Sequence, residues 1–393
     1  MTHLGPPPLP GGFVAPSFRV PGTLRFSRNA LFAASARAAA LRPAPIDLLL
    51  ALEVATGRMT SVIVDEGGVI FELKDGIRDL ADFERNSFVG RIAAGVTDLL
   101  MNELGYIWRA NASEAIPTRE ALGDFLYTGG PVGRQVVLAE SKGTAGVRAT
   151  ANSIRRKVTD AYERQVRPHV GEVTPLGQIV HGYAVALSIF PNSPAFVHVA
   201  ETERPASRPP VPASAVASGE ISIGVESANV VLSALSADFK LIRAPGISAE
   251  LAEMRGLSSS LGASLGSQTL QRVRIGRRTF LTEFRDQDLQ LTQQIRYPTS
   301  RSGFFAIDET VAEAALGAVS AFSANKQRDD NGLLSAFVDN RTSDQGEPFA
   351  QSTVGVDVED GIVLFSDGLA YITKKLRRRR DDVRQWTSKS GLE

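Results

Sequence analysis

The amino-acid sequence predicts an α/β protein, because helical and strand-like patterns alternate through its central part. Apolar residues recur at helical spacing over residues 88–104, three β-like runs follow, and a second helical stripe precedes two further strands. The chain has 393 residues, of which 43% are hydrophobic and 22% are charged. This composition is typical of a folded protein with roughly two or three domains.

The central block has the clearest pattern. Its first helix presents Phe88, Ile92 and Val96 on one face and ends before Gly105. The predicted elements are a helix over 88–104, strands over 106–110, 124–127 and 135–139, a helix over 147–167, and strands over 179–190 and 195–200.

Three features precede this block. The first 46 residues contain five arginines and no acidic residue, which is compatible with an organelle transit peptide and equally with an extended arm followed by an alanine-rich helix. Residues 47–54 indicate a short apolar helix or a buried strand. The runs 60–64 and 69–73 flank a turn at 65–68, which predicts a β-hairpin.

The region beyond the block predicts a linker, helices and a hairpin. Helices are expected over 227–241 and 310–324, and a hairpin over 354–372 that turns at Asp360-Gly361 or Asp367-Gly368. The changes in composition predict an N-terminal arm and small hairpin module (1–86), a core domain (87–204), a linker rich in Pro, Ser and Ala (205–218), and a C-terminal α+β region with a basic tail (219–393).

Composition excludes several classes of site. Cysteine is absent, which rules out disulfides, iron–sulfur clusters, Cys-ligated zinc and thiol nucleophiles. Of the four histidines, His181 and His198 fall in neighbouring predicted strands, where a histidine is more often structural than a zinc ligand. Lys+Arg and Asp+Glu both number 43, so any affinity for nucleic acid must come from local patches. No apolar run reaches the ~20 residues of a membrane span, and we expect a cytoplasmic protein.

The chemistry indicated by the sequence lies at the end of one predicted strand. Asp124 precedes the run 125–127, and Glu140 and Lys142 follow the apolar run 136–139. Side chains two residues apart in a strand project to the same face. Two carboxylates from neighbouring strands can hold Mg²⁺ or Mn²⁺, which polarises a phosphate and lowers the pKa of a bound water. The lysine can orient that water.

This pattern resembles the PD-(D/E)XK nuclease superfamily, the restriction-endonuclease-like fold, over roughly residues 88–203. The resemblance implies a mixed central sheet with helices on its faces. It also implies that Asp124 and Glu140 hold the metal and that Lys142 is the catalytic lysine of the motif. Gly123 stands where the motif has a proline, a departure that the superfamily tolerates.

A second departure concerns the first helix of the block. Many family members carry a glutamate early in this helix, whereas residues 90–95 contain none, so the metal site has one ligand fewer than that pattern. Asp98 and Glu103 are the only acids in the predicted helix, and neither is assigned to the metal.

A competing Glu-x-Lys triplet occurs at residues 72–74, after the apolar run 69–71. An acid, Asp65, precedes it. If Asp65 sits in the predicted turn, it lies roughly 13 Å from Glu72 at 3.3 Å per residue, too far for a shared metal. The downstream triplet is therefore preferred.

Basic residues predict where nucleic acid would bind. Six Arg and Lys residues accompany two acids over 147–167, which suits a phosphate-backbone contact, although an ordinary solvated helix face is an equally good interpretation. The family resemblance also implies nucleic-acid contacts by a Lys or a Gln of this helix, because family members often have these residue types there. The resulting candidates are Arg155, Arg156, Lys157 and Gln165, with Lys374, Lys375, Arg377 and Arg378 of the basic run 374–380.

The function expected from these features is a metal-dependent nuclease. DNA is the expected substrate by analogy with the fold, and restriction, antiviral defence and repair are all compatible settings. The alternative is a catalytically inactive nuclease-fold protein that binds nucleic acid or assembles a complex, favoured by the missing glutamate and the balanced charge. The sequence leaves the oligomeric state open, so a protein partner or a second copy is compatible with either function.

Overall fold

A computed structural model gives the architecture of the chain. It describes residues 16–18, 24–41, 44–65, 71–114, 122–129, 135–145, 151–189, 195–202, 225–255, 268–276, 278–283, 303–324, 357–359, 361–373, 383–387 and 391–392. Within these residues the chain forms seven α-helices and two β-sheets.

The elements are named in chain order. The helices are α1 (Arg28–Ala40), α2 (Ile46–Ile63), α3 (Asp82–Glu103), α4 (Ala151–Ala161), α5 (Val225–Leu241), α6 (Pro245–Met254) and α7 (Glu309–Ala324). The strands are β1 (Pro16–Phe18), β2 (Trp108–Asn111), β3 (Phe125–Thr128), β4 (Val136–Ala145), β5 (Val173–Thr174), β6 (Gly177–Ile189), β7 (Phe196–Thr202), β8 (Gln268–Ile275), β9 (Arg278–Thr282), β10 (Phe304–Asp308), β11 (Asp357–Glu359), β12 (Ile362–Leu364), β13 (Leu369–Ile372), β14 (Val383–Thr387) and β15 (Gly391–Leu392).

The first sheet is mixed. Its strand order is β1-β7-β6-β4-β3-β2, with β5 paired to β6. Strands β4 and β6 run parallel and α4 lies between them in the chain, while the other neighbours are antiparallel. The predicted order of helix, three strands, helix and two strands is present, and the mixed α/β class is confirmed. Helix α4 continues as a π-helical turn, Tyr162–Val166, and a 3₁₀ turn, Arg167–His169.

Helices α3 and α4 cover opposite faces of this sheet. Ala184 and Ala186 of β6 pack in one cluster with Ile154 and Val158 of α4. The intervening Val185 lies in the main core, to which α3 contributes. Because side chains alternate along a strand, the two clusters mark the two faces.

Helix α1 is buried on nearly all sides, between α3 and the second sheet. The ring of Phe32 lies 5.0 Å from that of Tyr371 in β13. On the α3 side, a Cβ added to Gly95 would lie 2.3 Å from Ser35 Oγ, so this glycine permits the close helix crossing. A helix enclosed in this way needs small apolar residues, which explains its alanine-rich sequence. The alanine-rich segment therefore belongs to the folded core.

The predicted hairpin over 60–73 is wrong in its first strand. Helix α2 extends to Ile63, because its buried positions, among them Thr56 and Thr60, follow helical spacing. Among the described residues of this segment, the strand pairing is limited to an isolated bridge between Val64 and Leu73, and residues 66–70 lie outside the description. The backbone N–H of residue 65 donates to the carbonyl of residue 72 at 3.0 Å, so the 13 Å separation expected for this pair is also wrong.

The second sheet is antiparallel, with the order β11-β12-β13-β10-β9-β8-β14-β15. The predicted helices over 227–241 and 310–324 are confirmed as α5 and α7. The chain turns at both predicted places, where Gly361 and Gly368 have φ of 98° and 93°. The linker and the basic run 374–380 lie outside the described residues, and the domain boundaries stay predictions. Among the described helices, none has the length and apolar character needed to cross a membrane.

Five charged side chains from five parts of the chain meet in the core, and each is at most 1% exposed. This buried ion network consists of Arg37 (α1), Asp98 (α3), Arg109 (β2), Asp238 (α5) and Asp367 (the turn before β13). Arg109 contacts Asp367 at 2.7 Å and Asp238 at 3.0 Å. Arg37 contacts Asp98 at 3.1 Å and also pairs with Asp367.

The pKa values of two of the carboxylates, Asp238 and Asp367, shift in opposite directions. Burial and the neighbouring Asp367 raise the pKa of Asp238, against the opposing effect of Arg109. For Asp367, burial acts in the same upward direction, but Arg37 and Arg109 prevail and lower its pKa. When the network takes up a proton as the pH falls to about 7, Asp238 is therefore the carboxylate that holds it.

We predict that Arg109→Met destabilises the protein by about 3–5 kcal/mol, because it leaves buried carboxylates unpaired. The matched control is Arg78→Met, which breaks the exposed pair with Asp75 and costs less than about 1 kcal/mol. Urea unfolding measures both. Asp238→Asn should cost less than Asp367→Asn, since the pKa of Asp238 is raised and that of Asp367 is lowered, and the reverse order would contradict this description of the network.

Candidate active site

The register of β3 and β4 places Asp124 beside Glu140. Phe125 pairs with Ala139, so the residues one step outward on each strand are cross-strand neighbours. The N–H of Asp124 donates to the carbonyl of Ala139 at 3.0 Å, which fixes this end of the hairpin. Directly opposite residues have Cβ atoms about 4.5–5.5 Å apart. The two carboxylates are therefore held at the same point of the sheet.

A backbone amide orients the first carboxylate. The N–H of Ser141 donates to Asp124 Oδ2 at 3.1 Å. On the other face of β4, Thr97 of α3 donates through its hydroxyl to Ser141 Oγ at 3.1 Å. Asp124 is thus tied to a strand position that α3 itself supports.

The Glu140 carboxylate is 1% exposed, and Lys142 pairs with its Oε1. Its Oε2 receives no hydrogen bond from a described donor, and Asp124 is the carboxyl with which Glu140 shares a hydrogen bond when one of the two is protonated. Burial raises the pKa of Glu140 to about 8, and the Asp124 carboxylate adds to the rise while Lys142 opposes it. In the free protein near neutral pH, Glu140 therefore holds a proton beside Asp124.

Glu140 and Lys142 lie on the α4 face of the sheet. In the parallel register they stand beside Ala184 and Ala186, which pack under α4. The Lys142 side chain is 31% exposed, so its ammonium group reaches solvent at the end of the buried strand. Strand β4 accordingly presents a buried acid and a solvent-reaching cation on one face.

Two of the predicted nucleic-acid-binding residues, Lys157 and Gln165, contact backbone close to the candidate site. Lys157 donates to the Gly143 carbonyl at 3.1 Å and to Thr144 Oγ1 at 2.6 Å. Burial and the nearby charge of Lys142 lower the pKa of Lys157. Gln165, in the π-helical turn, donates to the carbonyl of Leu122 at 3.3 Å. Lys157 thus contacts β4 beyond Lys142, and Gln165 contacts the segment before Asp124.

Of the other predicted residues, some lie elsewhere on the described elements and some lie outside the described part of the chain. Arg155 and Arg156 are exposed on α4. The four basic residues from 374 to 378 lie outside the described residues. His181 and His198 face opposite sides of the sheet: His198 pairs with Ala186 on the α4 face, while the ring of His181 packs on Tyr183 of the other face.

Helix α3 approaches β4 closely without supplying an acid to the site. A Cβ added to Gly143 would lie 2.6 Å from the Val89 carbonyl, so glycine is required at this crossing. Asp98 is committed to the buried ion network. Among the described residues, no group of three or more His, Asp and Glu side chains could hold a metal ion.

The donor set at the site suits one hard divalent cation. Asp124 and Glu140 offer carboxylate oxygens, and Mg²⁺ commonly binds through one or two carboxylates while keeping several waters. The buried Oε2 of Glu140 lacks a protein partner among the described residues, and a cation would satisfy it. The residues present therefore fit Mg²⁺ or Mn²⁺.

Sequence reasoning missed two of these contacts and one motif. The amide of Ser141 and the hydroxyl of Thr144 lie in and just beyond the Glu-x-Lys triplet, and only the strand register reveals their partners. A Gly-x-Ser-x-Gly pentapeptide at 262–266, the pattern of a serine-hydrolase elbow, is also present in the sequence. It lies outside the described residues.

We predict that Glu140→Gln stabilises the metal-free protein at pH 8 by about 1–3 kcal/mol, since it removes a buried ionisable group. The folded chain keeps a proton on Glu140 that the unfolded chain releases above its ordinary pKa of 4.5. The free energy of unfolding of the wild type should therefore fall as the pH rises from about 4.5 to 8. Urea unfolding in EDTA across this range measures the slope. Glu72→Gln, at a partly exposed position, should leave the slope intact, and an unchanged slope in Glu140→Gln would contradict the assignment.

The arrangement can bind a hard cation and present a lysine to a water or phosphate held beside it. Such a site is defined by its residues and their positions rather than by the fold alone. Comparison of the chain with protein-family models, with curated proteins and with solved structures finds no match.

Proposed function

We propose that this protein is a metal-dependent nuclease of the PD-(D/E)XK type that hydrolyses phosphodiester bonds in DNA. The observation that carries the proposal is the arrangement of Asp124, Glu140 and Lys142. Two carboxylates meet where β3 begins beside the middle of β4, one of them buried with an unpartnered oxygen, and a lysine lies on the same face of β4. Carboxylates with perturbed pKa values cluster at functional sites.

The topology supports the proposal. The order α3-β2-β3-β4-α4-β6, with β2, β3 and β4 antiparallel and β6 parallel to β4, suits the mixed core that the sequence resemblance implies. Glu140 is the last buried residue of β4, and Lys142 lies two residues further along this strand, which leads into the crossover that contains α4.

The chain's own residues would perform three tasks. Asp124 and Glu140 would hold Mg²⁺ or Mn²⁺, with Asp124 oriented by the Ser141 amide. The bound cation supplies charge that polarises a phosphate oxygen and lowers the pKa of a water. Lys142 would orient the attacking water and offset negative charge as it develops on the phosphate. Lys157, next to Lys142, would bind a neighbouring phosphate.

The alternative function is a nucleic-acid-binding protein with this fold and without catalysis. It is favoured by the absence of a third acidic ligand among the described residues. The two functions differ in one property. Both require DNA binding, but only the nuclease requires Asp124 and Glu140 to bind a cation.

We predict that plasmid and single-stranded DNA are cleaved in Mg²⁺ or Mn²⁺, and that Lys142→Ala lowers the rate at least about 100-fold. Glu140→Gln and Asp124→Asn should abolish cleavage because they remove metal ligands. The matched controls are Glu72→Gln and Lys74→Ala in the other Glu-x-Lys triplet, which should cleave like the wild type.

Cation binding is measured separately by thermal unfolding with Mn²⁺ at pH 8. The wild type should be stabilised, whereas Glu140→Gln and Asp124→Asn should not respond. DNA binding with neither cleavage nor a response to Mn²⁺ would favour the non-catalytic alternative and contradict the nuclease.

We predict that the double variant Arg155→Ala/Arg156→Ala binds duplex DNA more weakly and lowers the slope of log affinity against log salt by up to about 2, since each lost phosphate contact removes about one unit. The control is Arg164→Ala, whose guanidinium already pairs with Asp160 at 2.9 Å on the same helical segment. Equal effects of the two variants would contradict a DNA contact at Arg155 and Arg156.

A further inference from the structure

Helix α2 exposes an apolar face that no described element covers. Its buried side consists of Leu49, Thr56, Thr60 and Ile63. On the opposite side, Leu48, Val54 and Val62 are 51%, 49% and 68% exposed. The complete outward face is formed by Asp47, Leu48, Ala51, Val54, Ala55, Arg58 and Val62, all exposed. An exposed apolar stripe of this kind marks an interaction surface.

Two residues of opposite charge lie on this face, one in the first turn of α2 and the other about three turns later. Asp47 and Arg58 are eleven residues apart, which is about three helical turns and about 16 Å along the axis. They therefore share the face but do not touch. Neither has an ion-pair partner in the described part of the chain.

This spacing makes the face complementary to itself. In an antiparallel pair of identical helices related by a two-fold axis, residues equidistant from the axis face each other. An axis between Leu52 and Glu53 sets Asp47 of one copy against Arg58 of the other. The same axis sets Ala51 against Val54, and the small alanine lets the two helices approach closely.

We propose that α2 is the interface of a homodimer, in which its outward face packs antiparallel on the same face of a second copy. The occupant is a second copy of this chain because opposite charges meet twice, once on each side of the central apolar residues Ala51 and Val54, without any other partner being required. The proposal is independent of the nuclease function, since the face lies on α2 and the candidate site lies on β3 and β4.

The test is a charge-reversal cycle on the full-length chain, with mass measured by sedimentation velocity from about 1 to 100 µM protein. The wild type should form a dimer. Asp47→Arg and Arg58→Asp should each raise the dimer dissociation constant at least about tenfold, because each brings like charges together twice. The double variant D47R/R58D should return to within about threefold of the wild type. Thermal unfolding of each variant checks that α2 remains folded.

Two further variants separate the interface from a general effect of charge. Ala51→Glu, at the centre of the face, should produce a monomer across this range. Arg156→Asp, an exposed arginine on α4, should dimerise like the wild type. A monomeric wild type, single reversals without effect, or a double variant that stays as weak as the singles would each overturn the proposal.

Discussion

Arg109 connects carboxylates that the chain brings from three distant places. Asp98 lies on α3, Asp238 on α5 and Asp367 in the turn before β13, and Arg37 of α1 adds the second cation. A buried charge is costly unless it is paired, so these elements are stable only in the arrangement that lets the five groups meet. The network therefore specifies how α1, α3 and α5 and the two sheets pack together.

The candidate site depends on this packing through α3 and β3. Tyr127, three residues after Asp124, donates its hydroxyl to Asp98 at 3.4 Å. This hydrogen bond anchors β3, the strand that follows Asp124, to α3. Thr97, next to Asp98 in α3, contacts Ser141, whose amide orients Asp124. With one face of the sheet fixed in this way, Asp124 and Glu140 meet on a rigid pair of strands. Rigid support is what a catalytic constellation needs to hold its geometry.

The sequence predicts most of the first sheet because its signals are local. Strand periodicity identifies β6 and β7 within two residues, and helical periodicity identifies α3, which begins at Asp82 rather than Phe88. The Glu-x-Lys triplet lies within β4, which continues to Ala145 beyond its predicted end at residue 139. The ion network could not be predicted, because Arg109 and Asp367 are 258 residues apart and no local pattern relates them. The prediction of an N-terminal hairpin was wrong for a related reason. The run after residue 60 looks like a strand, but burial of one helical face in the core extends α2 to Ile63.

Asp238 and Glu140 show why a raised carboxyl pKa does not by itself identify a functional site. Burial is the largest cause for both. Asp238 sits in a closed core where Arg109 contacts it and a second carboxylate shares the cation, so a proton that the network takes up goes to Asp238. Each of the two carboxylates has one buried oxygen that lacks a hydrogen-bond partner in the described part of the chain, so this feature does not separate them. They differ in access to solvent: Lys142, the cation beside Glu140, is 31% exposed, whereas Arg109, the cation beside Asp238, is 1% exposed. Access to solvent beside the carboxylate, rather than its pKa, distinguishes a candidate ligand site from a group that stabilises the fold.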